Sequence, residues 1–108
     1  MEIRTTKAGV WTVVAASGEV DLHHSTDLRI AIIGHLDKGE SVLLDMADVS
    51  YIDSSGIAAM AQALSHARGK SLAFALIQPG EAVMRVLHLT RLDKVFDMYP
   101  SIAEAPGA

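Results

Sequence analysis

Four residues in the middle of the chain, Asp53-Ser54-Ser55-Gly56, put a carboxylate beside two hydroxyls and end on the residue least restricted in backbone conformation. The run around them, VSYIDSSGIAAM (Val49 to Met60), leads in with apolar residues and continues into small and apolar ones. The tetrapeptide therefore falls between a strand and a helix. At a helix start, unpaired backbone N–H groups and the positive end of the macrodipole favour negative charge. A phosphate on either hydroxyl would be well placed there, and it would bring about −1.5 to −2 charges at pH 7 beside Asp53. A partner docked on this helix end would then meet repulsion and a bulky, solvated group. A plainer role also fits: Asp53 or Ser54 caps the helix and Gly56 eases a tight turn, a contribution of about 1 kcal/mol. Capping needs only one oxygen, so the second hydroxyl is left to explain.

Other chemistries find less support. A hydrolytic triad needs a serine, a histidine and a carboxylate, and all three types are present. Neither Ser54 nor Ser55 sits in a G-x-S-x-G elbow, however, and nothing ties any of the five histidines to them. No catalytic residue is therefore expected. His23-His24 suggests a metal, but adjacent side chains diverge and no third ligand stands at a recognised spacing. His35 falls on an apolar helix face and reads as a half-buried histidine, while His66 and His88 read as surface or edge positions. There is no G-x-G-x-x-G and no G-K-[ST], so no bound nucleotide, cofactor or metal is expected.

The 108 residues suit one compact domain with a single core. Half of them are hydrophobic and the formal net charge is −4, with both signs interspersed, so the chain lacks the basic footprint of a nucleic-acid or anionic-membrane binder. There are no cysteines, which removes disulfides and thiolate chemistry. No segment reads as a signal peptide or as the roughly 20 apolar residues that span a bilayer. The expectation is a cytoplasmic protein with no membrane insertion and no direct contact with nucleic acid.

The elements that would position the tetrapeptide follow from periodicity. Ile3–Thr6 and Val10–Ala16 predict a hairpin about the Lys7-Ala8-Gly9 turn signal. Leu28, Ala31, Ile32, His35 and Leu36 trace one helical face, with Ser25 or Thr26 as cap and Gly39 as stop. SVLLDM, Ser41 to Met46, reads as a strand buried on both faces. After the tetrapeptide, Ile57, Met60, Ala61, Leu64 and Ala67 mark an apolar helical face, Gln62, Ser65 and His66 a polar one, and Arg68-Gly69-Lys70 the end. LAFALI (Leu72 to Ile77) gives another buried strand, Pro79-Gly80 a break, and Val83, Val86 and Leu87 a third helix that stops near Thr90. A short strand around Val95–Tyr99 ends at Pro100. The alternation predicts one α/β domain over residues 1–102: a mixed, mainly parallel sheet of about five strands with an N-terminal hairpin and three to four helices. Residues 103–108, small and polar, are expected to be disordered.

Three stretches, GEVDLHHST (Gly18 to Thr26), LLDMADVSYIDSSGI (Leu43 to Ile57) and VMRVLHLTRLDKVFDMYPS (Val83 to Ser101), together resemble the STAS domain of bacterial anti-sigma-factor antagonists, in order and over nearly the whole chain. The resemblance implies a phosphorylation-controlled binding switch rather than an enzyme. By it, the serine directly after the aspartate, Ser54, is phosphorylated by an anti-sigma factor with GHKL-type serine kinase activity and dephosphorylated by a PP2C-type phosphatase. The unphosphorylated form then sequesters the anti-sigma factor. Asp53, Ser55 and Gly56 would shape the loop, and Asp21 would contribute to the partner surface. A STAS-type structural or regulatory subunit of an ABC transport complex is the alternative. One departure stands out: Arg91 occupies a position after the third helix where the family commonly has glycine. Either the turn differs or Arg91 is strained.

Overall fold

Gly9 and Val10 turn the chain between β1 (Glu2–Ala8) and β2 (Trp11–Val20), which pair antiparallel from Glu2 opposite Ser17 to Ala8 opposite Trp11. The computed structural model describes residues 1–108. From β2 onward every connection is a helical crossover between parallel neighbours. The chain continues through α1 (Ser25–Asp37), β3 (Ser41–Ile52), α2 (Ser54–Gly69), β4 (Phe74–Ile77), α3 (Glu81–Leu89) and β5 (Asp97–Tyr99). The five strands lie in sequence order, with only the β1–β2 pair antiparallel. The predicted architecture is the observed one, with three α-helices.

Alternation along the strands sorts the core. Val42, Leu44 and Met46 of β3 point to one face with Val14 of β2 and Leu76 of β4, where they meet Leu28, Ile32 and Leu36 of α1, Met60 and Leu64 of α2, and Val83 and Leu87 of α3. Leu43 points to the other face with Trp11, Val13, Ala75 and Ile77. Within α2 the buried face is wider than the expected one and shifted: Ala61 is exposed, while Gly56, Ala59 and Ala63 are inside. Small residues on either side of the helix fit a helical periodicity, and only packing separates Ala61 from Ala59 and Ala63.

Two boundaries moved in ways that matter for the site. The strand expected over Ser41–Met46 runs on to Ile52, because β2 is long enough to pair with it through Asp48, Val49, Tyr51 and Ile52. Two register shifts, between Ala15 and Ser17 and between Gly18 and Glu19, accommodate the polar residues of this half. The C-terminal residues 103–108, expected to be disordered, are instead packed. Ile102–Glu104 form a 3₁₀ turn, Ala105 is buried against the second face of the sheet, and the Trp11 indole N–H donates to the Pro106 carbonyl at 2.6 Å. The sheet face that carries Trp11 and Leu43 receives none of the α-helical core and needs this cover.

All three helices end alike. Glu40 N–H donates to the His35 carbonyl and Gly39 N–H to Leu36 after α1; Leu72 to Ala67 and Ser71 to Arg68 after α2; Leu92 to Leu87 and Arg91 to His88 after α3. Each is a Schellman closure, with a left-handed residue just past the helix. Those residues are Gly39 at φ +81°, Ser71 at φ +57° and Arg91 at φ +60°. The break after α2 is thus Ser71, not Gly69, which is the last helical residue. Arg91 keeps the turn that glycine would make more easily, so it bears the strain. Relief of about 1–2 kcal/mol, less the extra unfolded-state freedom of glycine, gives Arg91→Gly a gain of about 1 kcal/mol. Thermal unfolding should show a midpoint about 4 °C higher for Arg91→Gly and no gain for Arg91→Ala, which retains the Cβ.

Candidate functional site

The second half of β3 delivers the tetrapeptide to the end of the sheet. Val20 and Ile52 are partners at the ends of β2 and β3, and the Asp53 N–H donates to the Val20 carbonyl at 3.3 Å. The loop after β2 and the start of α2 are therefore neighbours. Asp53 then leaves the strand in an extended conformation (φ −113°, ψ −173°) and caps α2. Its Oδ1 accepts the Ser55 N–H at 2.9 Å, the Gly56 N–H at 3.2 Å and the Ser55 hydroxyl at 2.5 Å. The Ser55 hydroxyl is the largest influence on this carboxyl. Partial burial pushes its pKa up, but with the backbone N–H groups of Gly56, Ser55 and Leu22 added the net effect is below the usual carboxylate range.

The two serines are thereby distinguished. Ser55 is half-buried and commits its hydroxyl to Asp53, whereas Ser54 is the first residue of α2, exposed, and makes no side-chain hydrogen bond within the chain. Asp53 is the cap, so Ser54 is free of that duty. Gly56 does something other than ease a turn. It lies inside the helix, and a Cβ there would come within 2.6 Å of Ile52 Cγ1, 2.8 Å of the Val20 carbonyl oxygen and 2.9 Å of Val20 Cγ1. Glycine is what lets α2 begin directly against the ends of β2 and β3.

Asp21 is brought to the same end of the sheet and is already engaged. Its Oδ1 accepts the His23 N–H at 3.0 Å and lies 2.7 Å from His24 Nδ1, while its carbonyl accepts the N–H groups of His24 and Ser25. Partial burial alone would raise its pKa, but the His24 hydrogen bond and the charges of His24 and His23 outweigh it and leave the carboxyl below its ordinary value. Asp21 thus forms the turn into α1, which the sequence assigned to Ser25 or Thr26. Ser25 is the first helical residue and buried, and α1 has no side-chain cap. Leu22, 74% exposed on the loop that follows β2, is a further surface residue beside this site. No signal in the sequence marks it, because an exposed leucine in a turn has no pattern. No helix is long and apolar enough to cross a membrane, and no group of three or more His, Cys, Asp or Glu side chains is placed to hold a metal.

A family model described as the STAS domain matches residues 2–105. This chain belongs to the STAS domain family. Among the relatives of this STAS domain, the anti-sigma-F factor antagonist RsfB of Mycobacterium tuberculosis is 30% identical over 95 residues, which cover 86% of this chain and 76% of RsfB. A Thermotoga maritima protein provisionally designated an anti-sigma factor antagonist is 38% identical over 71 residues, 65% of this chain and 63% of its own length, a little under two thirds. Its crystal structure superposes with a TM-score of 0.88 at 27% identity, over 95% of this chain and 90% of that one. The anti-sigma factor antagonist SpoIIAA shares the fold in its unphosphorylated form, with a TM-score of 0.77 at 17% identity over 93% of this chain and 90% of SpoIIAA. The phosphorylated Bacillus form gives a TM-score of 0.70 at 16% identity over 93% of each.

Proposed function

We propose that this STAS domain is an anti-sigma factor antagonist, switched by phosphorylation of Ser54, that sequesters an anti-sigma factor when unphosphorylated. The observation that carries the reading is the division of labour at the tetrapeptide: Asp53 caps α2, Ser55 is tied to Asp53, and Ser54 is exposed with a free hydroxyl. The relatives supply the partner class, and SpoIIAA is a member of the fold known in both phosphorylation states. A phosphate on Ser54 would stand beside the ionised Asp53 carboxylate and add about −1.5 to −2 charges to the surface a partner must approach. The partner in this reading is an anti-sigma factor with GHKL-type serine kinase activity, opposed by a PP2C-type phosphatase, acting in the cytoplasm. The domain itself catalyses nothing.

The test is to incubate the domain with its cognate anti-sigma factor and ATP and map the product by mass spectrometry. Phosphate is expected on Ser54 and not on Ser55. Ser54→Asp should bind the anti-sigma factor at least tenfold more weakly than the wild type, equivalent to about 1.4 kcal/mol. Phosphate on Ser55 alone, or unimpaired binding by Ser54→Asp, would overturn the assignment. Recovery of an ATPase and a permease as the stable partners would replace it with a transport role.

A further inference from the structure

A cleft between α1 and α2 lies beside the tetrapeptide on the side that Ser55 faces. Its volume is about 280 Å³, and Ser25, Thr26 and Arg29 of α1 line it opposite Ser55 and Gln62 of α2. The walls present three hydroxyls, that of Ser55 donated to Asp53, with one amide and one guanidinium and no carboxylate among the lining side chains. Arg29 is singular in this chain. The other eight of the nine lysines and arginines are exposed, and Arg29 alone is half-buried. The seven ion pairs all leave it out, although acidic residues outnumber basic ones by 13 to 9. A guanidinium drawn partly out of water is favoured by an anion, and its planar fork matches two oxygens of a tetrahedral oxyanion.

We infer that this cleft is an oxyanion site for a phosphate group, held by Arg29 with the hydroxyls of Ser25 and Thr26 and the amide of Gln62 around it. The phosphate has two possible sources of the same chemistry: a monoester on Ser54, one residue from the cleft, or free phosphate. Only the first source rests on the switch proposed above. The site itself does not.

The whole chain, unphosphorylated and ¹⁵N-labelled, is titrated with inorganic phosphate against sodium chloride of matched ionic strength, following Arg29 Nε–H and the amides of Thr26, Ser55 and Gln62. Saturable shifts at roughly millimolar phosphate are expected, weakened at least tenfold in Arg29→Gln. Shifts that do not saturate, or that persist unchanged in Arg29→Gln, would overturn the site. Unchanged thermal unfolding of Arg29→Gln excludes loss of the fold as the cause. The second arm uses protein carrying phosphoserine at position 54. If the monoester is the source, Arg29 Nε–H is already shifted and added phosphate no longer binds. If Arg29 is unmoved and added phosphate still binds, the site stands with free phosphate as its source.

Discussion

Gly56→Ala is expected to destabilise the domain by about 3 kcal/mol, the upper part of the range for overpacking a close-packed site, and to lower the thermal midpoint by about 12 °C. The added methyl has no direction in which to relax. Its neighbours at 2.6, 2.8 and 2.9 Å are Ile52 Cγ1, the Val20 carbonyl oxygen and Val20 Cγ1. Val20 and Ile52 are both buried, and the same carbonyl accepts the Asp53 N–H. Moving α2 away would pull Asp53 from the end of β2 and break its N–H bond to the Val20 carbonyl. Stability and partner binding should therefore fall together. Gly69→Ala is the control, since nothing lies within 4 Å of a Cβ there and the residue is helical. Helix propensity favours alanine by up to about 1 kcal/mol at that position, so the same chemical change should have the opposite sign. Thermal and denaturant unfolding of the two variants separate a steric requirement from a general cost of adding a methyl. A midpoint within 2 °C of wild type for Gly56→Ala would mean that the helix start is not seated on the strand ends.

The contrast also marks where local pattern stops being informative. The hairpin, the three helices and the buried strands were legible because each is written in a short period that needs no knowledge of its neighbours, as in Leu28, Ile32 and Leu36 or in Val42 to Met46. The helix stop at Gly39 was legible because left-handed backbone has a preferred residue, and at Ser71 it was hidden because that preference is not obeyed. The second half of β3 was unread for a different reason. Asp48, Ser50 and Tyr51 point away from the helical core, and only the matching length of β2 keeps them in a strand. In the tetrapeptide, capping and the position of the serines were readable. That Asp53 binds the Ser55 hydroxyl and donates its N–H to the Val20 carbonyl was not, because the second contact joins residues 33 positions apart by way of a sheet register. Gly56 shows the same limit: its residue type was conspicuous, but the reason lies in Val20 and Ile52. Asp21, carried over as a partner-facing residue, spends its carboxylate on the turn before α1.

Deleting residues 103–108 is expected to destabilise the domain by about 2 kcal/mol and to move the emission of Trp11, the single tryptophan, to longer wavelength. The segment is attached at three points: the Trp11 indole N–H to the Pro106 carbonyl at 2.6 Å, the Val10 N–H to the Gly107 carbonyl at 3.0 Å, and Ala105 buried on the sheet. Gly107 bends back over the hairpin at φ +81°, and the Gly107 carbonyl approaches Gly9 so closely that any side chain at residue 9 would collide with it. Opposed terms decide the size. Trp11 is only 5% exposed, and uncovering much of an aromatic side chain costs several kcal/mol at about 25 cal/mol per Å². The two hydrogen bonds and the burial of Ala105 add about 1 kcal/mol each, and the freedom regained by six residues, at about 1 kcal/mol each, offsets most of the total. The net change in stability is therefore modest while the change around Trp11 is large, so fluorescence is the sharper measure. Greater accessibility of Trp11 to a soluble quencher should accompany the red shift, with the α1–α2–α3 core and its circular dichroism retained. An unshifted emission maximum in the truncated chain would mean that these residues do not cover Trp11, and the second face of the sheet would then have to be closed by something other than this segment.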